Sequence, residues 1–290
     1  MLMPQFNYIS CKNFKEEYRM FYTAWGCQET SKKTLICVHG LNRNGRDWDR
    51  IGYHFAQQGY YVIAPDLVGR GNSDYLQDPM QYDTPYYIAD LLLLIKTLGL
   101  VNIEWLGLSL GAVIGMAIAA LEPMIIQKLI LVDMGAEIES IGLARIAKYS
   151  VAQPEFDTYA QIFNYLLDIS RDFGDLPPDI WEGYIRNEVQ KNSHGKYELK
   201  RDVNLLKPML GKFSSGENMQ LWSYWEKIKI PSLIIRGEVS DILSVATVEK
   251  MKQLNPQAQS IEIAKAGHAP YLYNAMHLDM LEKFLGLNER

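Results

Sequence analysis

Short apolar runs of strand length alternate with helical segments along most of this sequence. The predicted strands span 19–25, 34–38, 60–64, 102–106, 128–132, 232–236 and 260–263. The predicted helices between and after them span 47–58, 85–98, 110–121, 245–254 and 272–285. From residue 34 onward the strands are apolar throughout, which is typical of strands buried on both faces of a parallel sheet. The alternation predicts an α/β fold with a doubly wound, mostly parallel sheet, and the first strands form an antiparallel edge.

The alternation breaks between residues 136 and 222. This stretch contains helical patterns near 142–149, 158–169 and 178–191 and is rich in aromatic residues, and we predict no strand in it. We expect a helical layer over the carboxyl edge of the sheet, with Phe163 and Trp181 as candidates for testing whether it forms a pocket. The predicted organisation is a first part of the core at 1–135, a helical cap insertion at 136–222 and a second part of the core at 223–290.

The composition is that of an ordinary globular protein and excludes several classes of partner. Of the 290 residues, 48% are hydrophobic, and the net charge is −5 without a basic stripe, so we expect no nucleic-acid partner. We find no signal peptide and no apolar run long enough for a membrane span. Cys11, Cys27 and Cys37 lack metal-ligand spacing, and we interpret them as reduced thiols of a cytoplasmic protein, although Cys11 and Cys27 could pair in an oxidising compartment.

A candidate nucleophile lies where the strand at 102–106 passes into the helix at 110–121. The segment 103–115 reads IEWLGLSLGAVIG and contains the pattern G-x-S-x-G at Gly107, Ser109 and Gly111. The pattern alone is weak, but a strand before it and a helix after it are the setting of a nucleophile elbow. In such a turn small neighbours let the strand and helix approach, and the serine hydroxyl is raised above the sheet edge. We therefore predict Ser109 as a nucleophile.

A second loop suggests where the oxyanion of an acyl-transfer reaction is stabilised. Backbone N–H groups aimed at that oxygen supply a large part of such catalysis. We expect one from Leu110, directly after the nucleophile, and one from Leu41, in the segment His39-Gly40-Leu41 after the strand at 34–38. His39 could itself be the base, but its position at a strand end favours a role in fixing this loop.

The general base and its acid should lie in loops at the carboxyl edge of the sheet. Among five histidines, His268 follows the last strand and precedes the last helix, where catalytic groups gather in open α/β folds. Two aspartates follow strands between Ser109 and His268, namely Asp133 and Asp241. We predict Asp241 as the third member of the triad, because only one strand and one helix separate it from His268. Asp133 is the alternative.

These motifs resemble those of the α/β-hydrolase superfamily, and within it the cap-bearing serine hydrolases. The segment 64–74, APDLVGRGNSD, is similar to that group's D-x-x-G-x-G-x-S loop. The resemblance extends over about residues 19–285 and implies Ser109, Asp241 and His268 as triad, Leu41 and Leu110 as oxyanion hole and 136–222 as cap. Ser109 argues against haloalkane dehalogenases and epoxide hydrolases of this group, which carry Asp there. Ala112 departs from the glycine usual in its C–C hydrolases.

The expected activity is hydrolysis of a small or medium carboxylic ester through an acyl-enzyme, without a metal or an organic cofactor. The same triad leaves open a C–C bond hydrolase, a cofactor-free perhydrolase and an acyltransferase. The fold also leaves open a ligand receptor without activity. The aromatic cap indicates an apolar substrate. Arg145, Arg171 and Arg186 could instead meet a carboxylate, although long charged side chains on helices usually face solvent.

Overall fold

The computed structural model describes residues 3–287 and contains an eight-stranded sheet in the order β1-β2-β4-β3-β5-β6-β11-β12. These strands are Gln5–Lys12 (β1), Glu17–Trp25 (β2), Lys33–Val38 (β3), Tyr60–Pro65 (β4), Ile103–Leu108 (β5), Ile126–Val132 (β6), Ser232–Gly237 (β11) and Ala258–Ile263 (β12). β1 and β2 are antiparallel to each other, β2 is antiparallel to β4, and the other neighbours are parallel. The predicted sheet with an antiparallel edge is confirmed.

Helices cover both faces of the sheet. The core helices are Asp49–Gln57 (α1), Thr84–Thr97 (α2), Leu110–Leu121 (α3), Val245–Leu254 (α9) and Ala275–Leu285 (α10). Along β3, Ile36 and Val38 pack with α2, α3 and α9, whereas Leu35 and Cys37 pack with α1 and α10. Side chains of successive strand residues point to opposite faces, so a strand buried on both sides must be apolar throughout. This explains the uninterrupted apolar runs of the sequence.

Between β6 and β11 the chain leaves the sheet and forms a layer of short elements, here called the inserted segment (residues 133–231). Its helices are Ser140–Ser150 (α4), Tyr159–Ile169 (α5), Pro178–Glu188 (α6), Leu210–Phe213 (α7) and Trp222–Trp225 (α8). It also contains the strands Glu137–Ile138 (β7), Val189–Lys191 (β8), Tyr197–Leu199 (β9) and Met219–Gln220 (β10). The expectation that this stretch lacks strands is therefore wrong.

The strands of the inserted segment have no apolar period because they are short and pair within the segment, with one another or, at Tyr197, with Phe156. β8 and β9 form a hairpin of three residue pairs, and β7 pairs with β10 through two. The β7–β10 pairing brings the two ends of the segment together, since Ile138 lies opposite Met219. The predicted cap, 136–222, lies within this segment. Within residues 3–287 no helix has both the length and the apolar character required to cross a membrane.

Candidate active site

Ser109 lies in a strained turn between β5 and α3. Its backbone has φ 52° and ψ −112°, a conformation that non-glycine residues rarely adopt. The Ser109 N–H donates to the Val132 carbonyl at 3.1 Å, and the Ser109 carbonyl accepts from the N–H groups of Ala112 and Val113. These bonds tie the turn to β6 on one side and to the helix on the other. The serine is thereby held at the carboxyl edge of the sheet.

The glycines around Ser109 are required by close backbone approach. A Cβ at Gly107 would lie 2.3 Å from the Gly111 carbonyl oxygen, and one at Gly111 would lie 2.1 Å from the Val38 carbonyl oxygen. One turn further, a Cβ at Gly115 would lie 2.3 Å from the indole nitrogen of Trp105. Any larger residue would push α3 away from β3 and β5. The G-x-S-x-G spacing therefore follows from how closely this helix packs on the sheet.

His268 bridges Ser109 and a carboxylate. Its loop joins β12 to α10, and its Nε2 lies 3.0 Å from Ser109 Oγ. On the opposite side of the ring, Nδ1 lies 2.9 Å from Oδ2 of Asp133. All three side chains are buried. The predicted pairing of Ser109 with His268 is present in the structure.

Asp133 follows β6 directly and is held by three donors. Its Oδ1 accepts from the Gly237 N–H at 2.7 Å, and its Oδ2 accepts from the Ser240 hydroxyl at 2.6 Å as well as from His268. The Asp133 backbone has φ 47°, and its own N–H donates to the Ile235 carbonyl at 2.7 Å. A fully buried carboxylate with this many donors has a fixed position.

The structure contradicts the predicted contact between Asp241 and His268. Both carboxylate oxygens of Asp241 accept from Arg145, at 2.6 and 2.7 Å. Burial acts to raise the pKa of Asp241, but the Arg145 guanidinium outweighs it and holds that pKa below its ordinary value. The physical reason is the course of the loop after β11, which directs Ser240 toward Asp133 and turns Asp241 toward α4. The alternative, Asp133, occupies the place beside His268.

The two predicted oxyanion donors flank Ser109. Leu110 is the first residue of α3, and Leu41 borders the same cavities as Ser109. Neither N–H donates to another protein atom in the described part of the chain. A Cβ on Gly40 would lie 3.5 Å from the Ser109 Cβ, so the loop after β3 passes directly beside the nucleophile. These two amides remain the predicted donors.

His39 fixes the loop after β3, as one of the two sequence alternatives expects. The Leu67 N–H donates to its Nε2 at 2.9 Å, so its Nδ1 carries the proton and donates to the Gly40 carbonyl at 2.7 Å. Complete burial lowers the pKa of His39 to about 3, which keeps the ring neutral at physiological pH. Both ring nitrogens are occupied by the backbone, and His39 does not contact Ser109.

Comparison with known proteins shows the family of this chain. Residues 33–275 match a family model described as the alpha/beta hydrolase fold. The chain belongs to the α/β-hydrolase family. It is 32% identical to the 3-hydroxybutyrate-oligomer hydrolase of Cupriavidus necator over 288 residues, 97% of each chain. It is 28% identical to Lipase 1 of Psychrobacter immobilis, over 81% of this chain and 71% of the lipase.

Solved structures give the same assignment. A hydrolase structure from Rickettsia typhi superposes with a TM-score of 0.91 at 32% identity and covers 98% of this chain and 100% of its own. An alpha/beta hydrolase from Novosphingobium aromaticivorans superposes with a TM-score of 0.87 at 28% identity, covering 99% of both chains. The predicted superfamily and fold are confirmed, and so is the prediction of a hydrolase.

In this α/β-hydrolase two cavities of different character meet at Ser109. The first, here called the polar cavity, is bordered by His268 and by the charged side chains Arg43, Arg145, Asp172, Glu188 and Arg201. The second, here called the apolar cavity, is lined mainly by aliphatic and aromatic side chains, among them Val113, Met134, Leu143, Met209 and Phe213. Ser109, Leu41 and Ile146 border both. An ester bond at Ser109 would have one substituent on each side.

The arginines of this hydrolase agree with the sequence expectation only in part, since Arg171 and Arg186 face solvent as expected. Arg145 meets protein carboxylates, at Asp241 and at Asp172. Arg171 and Arg186 are exposed and pair with neighbours on their own helical turns. The buried arginines of the polar cavity, Arg43 and Arg201, were not among the candidates. No local pattern marks a buried arginine, because its burial depends on groups far away in sequence.

Proposed function

We propose that this chain is a serine hydrolase that cleaves carboxylic esters, with Ser109 as nucleophile, His268 as general base and Asp133 as the acid that orients it. The observation that carries the proposal is the chain of two hydrogen bonds from Ser109 Oγ through the imidazole to the Asp133 carboxylate, at 3.0 and 2.9 Å. Because Asp133 accepts at Nδ1, the neutral ring keeps its proton there and presents an unprotonated Nε2 to the serine. That is the tautomer a general base requires.

The reaction would run in two steps. Ser109 Oγ attacks the ester carbonyl while its proton passes to His268 Nε2, and the N–H groups of Leu41 and Leu110 stabilise the oxyanion. When the intermediate collapses, the C–O bond to the alcohol breaks and His268 protonates the departing oxygen. Water, deprotonated by the same nitrogen, then attacks the acyl-enzyme and releases the acid and the free serine.

Oligomers of a short hydroxy acid, such as 3-hydroxybutyrate, are the proposed substrates. The relative from Cupriavidus necator named for that activity matches 97% of this chain over 97% of its own length. Each inner ester bond of such an oligomer has a hydroxyacyl unit on one side and a hydroxy-acid unit on the other. The two cavities that meet at Ser109 fit this two-sided shape. Residues 136–222 would act as the cap, since several of them border one or the other of the two cavities.

The test compares matched substitutions in hydrolysis of 3-hydroxybutyrate dimer and of p-nitrophenyl butyrate. Ser109→Ala should abolish activity and labelling by a fluorophosphonate. Asp133→Asn should lower kcat by on the order of 10³- to 10⁴-fold, because it favours the wrong tautomer of His268. Asp241→Asn, the control with the same chemical change, should stay within about tenfold of the wild type, because the Asp241 carboxylate is hydrogen-bonded to Arg145 and not to His268.

Circular dichroism and thermal unfolding check that each variant is folded. If Asp241→Asn were inactive and Asp133→Asn kept its activity, the assignment of Asp133 as the acid would be overturned. Retention of most activity in Ser109→Ala would overturn the mechanism as a whole.

A further inference from the structure

The polar cavity contains three arginines, and two of them are paired with carboxylates. Arg43 is paired with Asp47 at 2.5 Å. Arg145 is paired with Asp241 at 2.6 Å and with Asp172 at 2.9 Å. The third arginine of this cavity, Arg201, has no carboxylate within 4.0 Å among residues 3–287. The cavity beside Ser109 therefore has one cation without a counter-ion.

Arg201 is held in place without being neutralised. Its side chain is only 3% exposed, and its Nη2 donates to the carbonyl oxygens of Tyr149 and Ala152 at 3.2 and 3.3 Å. The neighbouring carboxylate, Asp202, is used elsewhere, since it accepts from the Tyr82 hydroxyl at 2.7 Å. Carbonyl oxygens orient a guanidinium but do not balance its charge. A buried cation of this kind is unfavourable unless an anion joins it.

Glu188 is the carboxyl group of the polar cavity that acts electrostatically on Arg201. Its Oε1 accepts from the Asn44 amide at 2.8 Å. Burial, together with the nearby Asp47 carboxylate, raises the pKa of Glu188 to about 8, although the guanidinium groups of Arg43 and Arg201 act to lower it. The raised pKa favours the protonated, neutral form of Glu188, which does not balance the charge of Arg201. Burial also lowers the pKa of Arg201 from its ordinary value, but a guanidinium stays charged at pH 7.

We propose that Arg201 binds a carboxylate of the substrate, so that the enzyme selects esters carrying a free acid group. This proposal rests on the proposed function, and it adds the orientation of the substrate in the two cavities. The hydroxy-acid unit with the free carboxylate lies in the polar cavity, and the acyl unit lies in the apolar cavity. Since Arg201 would hold the free carboxylate in the cavity beside Ser109, the bond cleaved is the one nearest the free carboxyl end of an oligomer.

The first experiment compares 3-hydroxybutyrate dimer with its methyl ester, which differs only in the free carboxylate. The wild type should have a kcat/KM for the acid at least tenfold above that for the methyl ester, because a charge-assisted bidentate contact is lost in the latter. Arg201→Gln should lose about 10- to 100-fold on the acid and change less than about threefold on the methyl ester. Arg201→Lys should recover part of the preference.

Arg186→Gln is the matched control, because Arg186 lies on the inserted segment but is exposed and pairs with Glu182. It should leave the preference unchanged. A second measurement needs no variant and covers the case in which Arg201→Gln does not fold. In the wild type, 3-hydroxybutyrate should inhibit hydrolysis of p-nitrophenyl butyrate competitively, at a concentration at least tenfold below that of 3-hydroxybutyramide.

The outcomes separate the two proposals. If the wild type hydrolyses neither dimer nor p-nitrophenyl ester, the proposed function fails. If it hydrolyses acid and methyl ester equally well, and acid and amide inhibit equally, the ester hydrolase stands and the role of Arg201 is overturned. An equal loss on both substrates in a folded Arg201→Gln variant also overturns it, because Arg201 would then support the site structurally.

Discussion

Three non-glycine residues at the Ser109 site have backbone φ angles in the left-handed region, namely Ser109 at 52°, Asp133 at 47° and Ala269 at 74°. Each such conformation costs about 1–3 kcal/mol and persists only where surrounding contacts impose it. Here the N–H groups of Ser109 and Asp133 donate to the neighbouring strands β6 and β11. Hydrogen bonds to the sheet therefore offset the cost of these conformations and keep Ser109 and Asp133 oriented toward His268.

At the same scale, a substitution at Gly111 tests whether close approach of α3 to β3 is needed. Gly111→Ala should lower the free energy of unfolding by about 1–3 kcal/mol, because its Cβ would lie 2.1 Å from the Val38 carbonyl oxygen. Gly183→Ala is the control, since a Cβ on that helical glycine would have no neighbour within 4 Å. This substitution should raise the free energy of unfolding by about 0.5–1 kcal/mol. Urea denaturation measures both, and a neutral Gly111→Ala would contradict the packing argument.

The choice between two aspartates shows where the sequence stops being informative. Ser109 and His268 could be predicted, because motif and loop position depend on local order along the chain. Asp133 and Asp241 both follow strands at the same edge, so chain order cannot separate them. The two aspartates are distinguished by the partner of each carboxylate. Asp241 is paired with Arg145 on α4, and the sequence pattern does not predict where that helix lies relative to the sheet.

At the scale of elements, the strands that escaped prediction are those with few apolar contacts. β1 is an edge strand whose residues Gln5 to Ser10 are mostly exposed, and it pairs only with β2. β8 and β9 pair with each other and have three residues each, and Tyr197 of β9 adds one isolated bridge to Phe156. The central strands were predictable because burial on both faces demands apolar side chains. A strand that buries few apolar side chains therefore shows no apolar run or alternation in the sequence.

The helix α7 supplies an element-scale prediction about the acyl group. Phe213 lies on α7 and borders the apolar cavity. Phe213→Ala should raise the ratio of kcat/KM for p-nitrophenyl octanoate over butyrate several-fold, because each additional buried methylene contributes about 0.8 kcal/mol. Steady-state kinetics across acyl lengths from acetate to octanoate measures this ratio.

Phe163→Ala is the control for that experiment. The structure places Phe163 and Trp181, the two residues suggested by the sequence, outside both cavities at Ser109. Phe163 contacts Tyr159, and Trp181 stacks on Phe173 with ring centroids 5.8 Å apart. Chain-length preference should therefore be unchanged in Phe163→Ala. An unchanged ratio in Phe213→Ala as well would mean that the apolar cavity does not receive the acyl chain.

At the scale of the whole molecule, the inserted segment meets the core through buried charged and polar groups as well as apolar ones. The Arg43 guanidinium, from the loop after β3, lies 4.2 Å from the ring centre of Phe173 and 4.7 Å from that of Tyr184. Asn44, in the same loop, donates to Glu188 at the end of α6. Such directional contacts fix how the segment sits over Ser109, whereas apolar packing alone tolerates shifts. The polar cavity is formed between these two layers.

The last prediction concerns global stability and follows from the raised pKa of Glu188. Burial raises that pKa to about 8, whereas in the unfolded chain the group ionises near its ordinary value of 4.5. Between these two pH values the folded state keeps a proton that the unfolded state has lost, so stability falls as pH rises. Glu188→Gln cannot titrate. Relative to the wild type it should therefore gain on the order of 2 kcal/mol between pH 5 and pH 8.

Urea denaturation at pH 5, 6, 7 and 8 gives this difference directly, and the carboxyl groups that do not interact with Glu188 cancel because both proteins contain them. Glu182→Gln, which removes a carboxylate from an exposed site of the same helix, is the control and should show no such trend. A difference between Glu188→Gln and the wild type that is independent of pH would mean that Glu188 is ionised in the folded protein. Glu188 would then be the counter-ion of Arg201, and the polar cavity would have no free cation for a substrate carboxylate.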